Sequence, residues 1–350
     1  MEKNKTLKLI VTGGAGFIGS HLTDKLIEAG HDVIIIDNLS TGKKSQINKK
    51  AKFVKADIRE LTKIKPHFKG VDYVFHLAAL ARIQPSIINP VPPFEVNVQG
   101  TLNVLIASRD SKVKKVIYSA SSSSYGDQKS LPLKESMMPG FKSPYSLTKY
   151  VGEEICNLFS KLYGIKTVSL RYFNVYGPRQ LTTGAYATVI GIFLKQLSQK
   201  RPITIVGDGT IERDFTHVSD VVKANILAMK SGKSKNGEVI NIGAGKKYSI
   251  NKLASIILDF SKTVSSKETE LQARLTGYVP PSYIHNKQTA SATRLDPVLV
   301  TAIKEKKVVF IAPRPGETRQ TLADHSKAKK LLGWEPTITL ERGLKDLINK

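Results

Sequence analysis

Cysteine is almost absent. Cys156 is the only one in 350 residues, so neither an intrachain disulfide nor a multi-cysteine metal site can form. No metal is expected, and the scarcity of cysteine fits a reducing, cytoplasmic setting. No apolar run approaches the roughly 20 residues that span a bilayer, and the opening Met-Glu-Lys-Asn-Lys-Thr carries no secretory apolar stretch. A membrane partner is not expected. Acidic residues are scarce too: 29 against 54 basic ones, a formal charge of +25. Such a balance can mark a nucleic-acid binder. Here, however, only 12 of the 54 are arginine, and the lysines are scattered as pairs such as Lys43-Lys44 and Lys329-Lys330. There is no long basic run, zinc-knuckle spacing or RNP-like aromatic motif. The charge reads as solubility plus mild attraction for anionic substrates, without nucleic acid as a partner.

What is present is alternation. Short β-branched runs at Leu7–Thr12, Asp32–Asp37, Ala51–Lys55, Val71–Leu77, Lys115–Ala120 and Thr167–Tyr172 are separated by helix-length segments, and Val239–Ile242 adds one more run. This pattern predicts βαβ units and a parallel sheet. The fold class expected is α/β, a Rossmann-type doubly wound parallel sheet with a smaller C-terminal α/β substrate-binding lobe. The alternation loosens between Tyr176 and Asp214, where Gly177-Pro178 and Gly207-Asp208-Gly209 mark an excursion from the sheet. The division expected is 1–175 plus about 217–247 for the dinucleotide domain, and 176–216 plus about 248–350 for the substrate lobe. Residues 261–307 are the least regular, rich in Ser, Thr and Lys, with one helix-like stretch over Asp296–Lys306.

The first run leads into Gly13-Gly14-Ala15-Gly16-Phe17-Ile18-Gly19 and then a helical stretch. Two glycine patterns fit, GxGxxG from Gly14 and GxxGxxG from Gly13. Either supplies a sharp turn, close backbone approach to a pyrophosphate and a helix N-terminus aimed at it. Glycine patterns are common in ordinary turns. This one has its context: a strand before, a helix after, and Asp37 at the end of the next strand, 18 residues past Gly19. A carboxylate there suits the ribose hydroxyls of NAD and repels the 2′-phosphate of NADP.

Tyr145 and Lys149 form a YxxxK pair within Ser143-Pro-Tyr-Ser-Leu-Thr-Lys. Residues four apart share a helix face, and an ammonium beside a phenol lowers its pKa from about 10, making it a proton acceptor. The pair alone is commonplace on solvated helices. A second element gives it meaning: the run Lys115–Ala120 ends in Ser121-Ser122-Ser123-Ser124, at the strand edge where open α/β sheets bind ligands.

With these residues the sequence resembles the extended short-chain dehydrogenase/reductase family, and within it the UDP-hexose 4-epimerases, including those acting on N-acetylated sugars. The marks are TGGAGFIGSHL at 12–22, DNLSTG at 37–42, Ala56-Asp57-Ile58, HLAA at 76–79, Asn97-Val-Gln-Gly-Thr, SASSSSYG at 119–126, SPYSLTK at 143–149, RYFNVYGPRQ at 171–180, GDGTIERDFTHVSD at 207–220 and PRPGE at 313–317. The resemblance implies NAD as cofactor. Its contacts would be Gly13, Gly16, Phe17, Ile18, Gly19, Asp37, Asn38, Ser40, Thr41, Gly42, Asp57, Ile58, Leu77, Ala78, Ala79, Asn97, Ser119, Tyr145, Lys149 and Tyr172. Tyr145 would be the catalytic base and acid, Lys149 its partner, with Ser121 and Ser123 assisting. Ser121, Ser122, Ser123, Tyr145, Asn174, Arg213, Arg314, Glu317 and Thr321 would face a UDP-sugar, the arginines on its diphosphate and Glu317 on its ribose.

The resemblance also separates reactions. The related dehydratases and decarboxylases carry acids where Ser122 and Ser123 stand. Thr321 falls at the position that gates pocket size; threonine leaves room for an acetamido group, as does the likeness of Gly184-Ala-Tyr-Ala to N-acetyl-accepting members. The expectation is 4-epimerisation of UDP-GlcNAc/UDP-GalNAc or UDP-Glc/UDP-Gal. The alternatives are another nucleotide-sugar reaction, such as uronate epimerisation, dehydration or reduction, and a non-catalytic NAD-binding protein. Family analogy implies a homodimer built on a helix over Tyr145–Lys161. The forty or so residues around 261–307 depart from the family pattern.

Overall fold

The computed structural model describes residues 5–184, 187–234, 236–264 and 295–349. Seven strands form its parallel sheet: β1 (Lys8–Thr12), β2 (Asp32–Asp37), β3 (Lys52–Lys55), β4 (Tyr73–His76), β5 (Lys115–Ser121), β6 (Lys166–Tyr172) and a later strand, Glu238–Ile242. Four short strands precede that last one in the chain: β7 (Val175–Tyr176), β8 (Ile203–Val206), β9 (Glu212–Asp214) and β10 (Thr216–His217). It is therefore β11. The order across the sheet is β11-β6-β5-β4-β1-β2-β3, with every neighbour parallel. All seven runs expected from the alternation are strands of this sheet. The Rossmann-type, doubly wound α/β class is what the chain adopts.

Helices cover both faces, so the middles of the central strands are apolar: Leu9, Ile10, Val11, Val116 and Ile117 are fully buried. Parallel strands sandwiched in this way lose the usual polar alternation. One face packs Leu22, Leu26, Val221 and Trp334, and the other Ile64, Phe68, Val104 and Phe159. The chain departs to opposite sides from the neighbours β1 and β4. Their carboxyl ends diverge into a crevice, the switch point at which such sheets take ligands.

A third core lies off the sheet. There β8 pairs in parallel with β13 (Val308–Ile311), and β9 pairs antiparallel with β12 (Lys247–Ser249). Around these pack the helices Val189–Ser198, Ile250–Val264, Pro297–Lys304 and Leu340–Ile348. The least regular stretch holds the helix expected of it, here Pro297–Lys304. Its first four residues extend the helix from Ile250, and Asp296 caps the helix Pro297–Lys304 by accepting from Val298 N at 3.0 Å. Residues 265–294 lie outside the described residues. Among the described residues no helix is long and apolar enough to cross a membrane.

Asp214, fully buried at the end of β9, ties this lobe to the sheet. Its carboxylate accepts from the backbone N–H groups of Ala244 (2.8 Å), Gly245 (2.9 Å) and Ala323 (3.0 Å). Burial still lifts its pKa to about 6 against those three donors. Asp214→Asn keeps the size but turns one acceptor into a donor facing donors. It should lower unfolding free energy by about 1–3 kcal/mol, the cost of a buried N–H left unpaired, read as a lower urea midpoint.

Candidate active site

The glycine turn shows why side chains are excluded. Gly13 has φ +72°, and a Cβ there would lie 2.7 Å from Ala78 N. A Cβ on Gly19 would lie 2.2 Å from Gly13 O, and one on Gly16 3.1 Å from the same atom. Gly13 N donates to Ile36 O and Gly16 N to Gly13 O, folding the turn onto the N-terminus of the helix Phe17–Glu28. The two glycine readings are thereby resolved. Gly13, Gly16 and Gly19 line the cavity, whereas Gly14 packs against Ile35.

Asp37 is buried at the end of β2 and braces the turn, accepting from Ala15 N (3.0 Å) and Leu39 N (2.8 Å). Burial pushes its carboxyl up, while those two N–H groups pull it back. Beside it Asn38 Nδ2 donates to Asp57, whose carboxyl the paired Arg59 holds down to about 2. The Asp37 carboxylate at this end suits ribose hydroxyls and repels an added phosphate. Bare backbone beside a helix N-terminus, with acids beyond it, fits the pyrophosphate and adenosine of NAD.

A cavity of about 520 Å³ runs from here to the second lobe. Phe17, Ile18, Asn38, Ser40, Thr41, Asp57, Ile58, Leu77, Ala78, Ala79, Ser119 and Tyr172 all line it. Two residues expected on the cofactor do not. Gly42 instead packs on Ala15, where a Cβ would come within 2.9 Å of the alanine side chain. Asn97 is buried behind the wall, bonded to both backbone groups of Leu80 and to Thr148 Oγ1. Asn97 thus supports that wall, and Gly42 supports the glycine turn. Tyr172 reaches the cavity held in place by Asn225 and Ser119.

Tyr145 and Lys149 come from the helix Pro144–Tyr163, whose start is written in Ser143-Pro144-Tyr145-Ser146. Ser143 and Ser146 bond each other's backbone in a reciprocal cap, with Pro144 in the first turn. Both side chains line the cavity. So do Ser121, Ser122 and Ser123, delivered by the end of β5, where the Ser121 and Ser123 hydroxyls are 2.8 Å apart.

The electrostatics differ from the expectation. Burial pushes the Tyr145 phenol above its ordinary value, opposed by the Ser121 hydroxyl, the Arg82 charge and the Ser123 hydroxyl. Burial holds the Lys149 ammonium itself down to about 8, and its Nζ sits 4.3 Å from the centre of the Tyr118 ring.

At the far end stand Asn174, Arg213, Arg314, Glu317 and Thr321. Arg213 Nη2 lies 3.6 Å from Glu317 Oε2, with Nη1 on Glu212 O. Thr321, buried, accepts from Asn174 Nδ2 and Asp214 N, each at 3.2 Å. Ala185 and Tyr186 of the Gly-Ala-Tyr-Ala stretch lie outside the described residues. The sequence reading missed Arg82, Gln84, Lys142 and Arg179, which also line the cavity. Arg82 and Gln84 follow β4, and its strand-end position was the available signal.

A parallel sheet with a glycine cradle at its switch point and a Tyr–Lys helix beside a serine-tipped strand defines a dinucleotide-dependent short-chain dehydrogenase/reductase of the extended kind. Residues 9–243 match the NAD dependent epimerase/dehydratase family, and the chain belongs to it; the family's cofactor is NAD. It is 39% identical over 343 residues to a putative UDP-glucose 4-epimerase of Methanocaldococcus jannaschii, covering 97% of each chain. Among solved structures it resembles the UDP-glucose 4-epimerase of Thermotoga maritima with UDP-glucose (36% identity, 98% of each chain, TM-score 0.83). It also resembles the UDP-N-acetylglucosamine 4-epimerase of Methanobrevibacter ruminantium in complex with UDP-N-acetylmuramic acid (34%, 99% and 98%, TM-score 0.82).

Arg82→Ala removes a charge that favours the phenolate, so the rising limb of the pH–kcat/KM profile should move to higher pH. A profile identical to wild type would remove Arg82 from the electrostatics of Tyr145.

Proposed function

We propose that this chain inverts C4 of a UDP-hexose through a 4-keto sugar. The carrying observation is the convergence of Tyr145, Ser121 and Ser123 with the glycine cradle at one end of a cavity and Arg213, Arg314 and Glu317 at the other. NAD, when bound, supplies the acceptor and donor of one hydride. Tyr145 takes the proton of the 4-hydroxyl as hydride leaves C4, and Ser121 and Ser123 hold the reacting oxygen by hydrogen bonds. Lys149 keeps positive charge against the helix face below the phenol. Arg213 and Arg314 grip the diphosphate as planar donors and Glu317 the nucleotide ribose, leaving the sugar free to turn. Once it presents its other face, hydride returns and Tyr145 gives the proton back.

The lining supports isomerisation over elimination, because Ser122 and Ser123 offer no acid beside the sugar. Thr321 is small at the substrate end, which supports acceptance of UDP-GlcNAc and UDP-GalNAc alongside UDP-Glc and UDP-Gal. Incubation with UDP-Glc, UDP-GlcNAc and UDP-glucuronate, followed by proton NMR, should show the 4-epimer of one of the first two. Conversion of the uronate alone would transfer the assignment to a uronate epimerase. Tyr145→Phe should cut turnover at least about a hundredfold while leaving NAD bound.

The same helix presents Leu158, Leu162 and Tyr163 to solvent, each at least half exposed. Apolar residues four apart on one face favour pairing with a second copy about a twofold axis. A homodimer is proposed, and Leu162→Glu should shift it toward monomer in sedimentation, with no shift counting against this face.

A further inference from the structure

The six-residue helix Ile83–Ile88 sits between the two halves of the site. At its base the fully buried Ser86 accepts from Tyr145 N at 3.1 Å, so the helix is fixed to the start of the tyrosine helix. Its other end reaches the second lobe. Gln84 Nε2 donates to Pro315 O at 2.7 Å. Gly316, with φ +79°, lies against the helix so closely that a Cβ would come within 2.7 Å of Ile87 Cδ1 and 3.0 Å of Ile83 Cγ2. The loop held in this way carries Arg314 and Glu317, one on each side of Pro315-Gly316, and both line the cavity along with Ile83 and Gln84.

We propose that Gln84 is a positioning residue that clasps the 313–317 loop, keeping Arg314 and Glu317 in register with Tyr145 for a nucleoside diphosphate. It touches neither the reacting carbon nor the proton in transfer. Its hydrogen bond spans from an element fixed to the tyrosine to the loop that grips the nucleotide. Losing it frees the loop, which weakens ground-state and transition-state binding alike. That raises KM and leaves kcat. Glycine at 316 and proline at 315 fit this role: a side chain at 316 would push the loop off the helix, and the fixed φ of proline limits what the loop can do when released.

The inference builds on the UDP-sugar reading, and UDP alone tests it without turnover. UDP binding to the NAD-loaded protein is measured by calorimetry, beside steady-state epimerisation, for wild type, Gln84→Met and Gln84→Lys. Methionine keeps the shape and removes the donor. Its UDP Kd and its KM should both rise about three- to tenfold, the worth of one such hydrogen bond, with kcat within about twofold and Tm unchanged. Lysine restores a donor. At about 0.5 M salt, where its added charge is screened, it should recover most of the loss. Wild-type UDP affinity in Gln84→Met, failure of lysine to recover, or a fall in kcat at constant KM would each overturn the clasp. A wild-type protein that binds UDP but converts no UDP-sugar would remove the epimerase reading and leave the affinity comparison to decide on Gln84. One that binds no UDP would overturn both.

Discussion

Backbone meets backbone at the head of β1, and the site is laid out from that contact. Gly13 lies against Ala78 at the end of β4, and Gly19 in turn lies over the carbonyl of Gly13. No side chain can enter either space. The constraint brings three things to one point: the free N–H groups of a helix start, the mouth of the β1/β4 switch and the acid at the tip of β2. Asp37 closes the arrangement by accepting from the turn itself. The shape of the glycine cradle is therefore set by steric exclusion before any charge is counted.

From that point charge is managed by burial. The tyrosine helix carries Lys149 and, one turn later, Glu153, and both are almost fully buried. Glu153 pairs with Arg171 of β6 through contacts of 2.7–3.1 Å, and the guanidinium rests 4.6 Å from the centre of the Tyr125 ring. Breaking such a pair strands a charge in low dielectric, so this ion pair commits the helix to one seat on the sheet. His76 contributes in neutral form. Burial holds it down to about 3, between the hydroxyls of Thr12 and Thr101. A chain of hydroxyl, imidazole and amide contacts then runs from Thr12 through His76, Thr101 and Asn97 to Thr148 and the carbonyl of Tyr145. The glycine turn and the candidate base belong to one buried network.

Much of this was legible in the sequence, because the features involved are local. Each strand of the large sheet is a short β-branched run bounded by turn residues, and the cap of the tyrosine helix is written in four consecutive residues. The glycine, serine and YxxxK elements carry their positions with them. What escaped depends on partners distant in the chain. The three-residue strands β9 and β12 have no pattern of their own and exist only by pairing across some thirty residues. Asp214 reads as one more acid until three separate N–H groups are seen to converge on it. Gln84 and Arg82 belong to no motif, and their neighbours across the cavity come from helix and loop segments far along the chain. Asn97 and Gly42 enter the cofactor reading only through their position in a motif. The first lies one layer behind the cavity wall, and the second packs on the glycine turn.

We propose that hydride leaves and returns to the same carbon, with Tyr145 moving only the proton. A UDP-sugar deuterated at C4 tests this directly. Epimerised by the wild-type protein in ordinary water and examined by NMR, it should give both epimers with deuterium still at C4. Loss of the label to solvent would mean that C4 is inverted by proton exchange, and would overturn the hydride route.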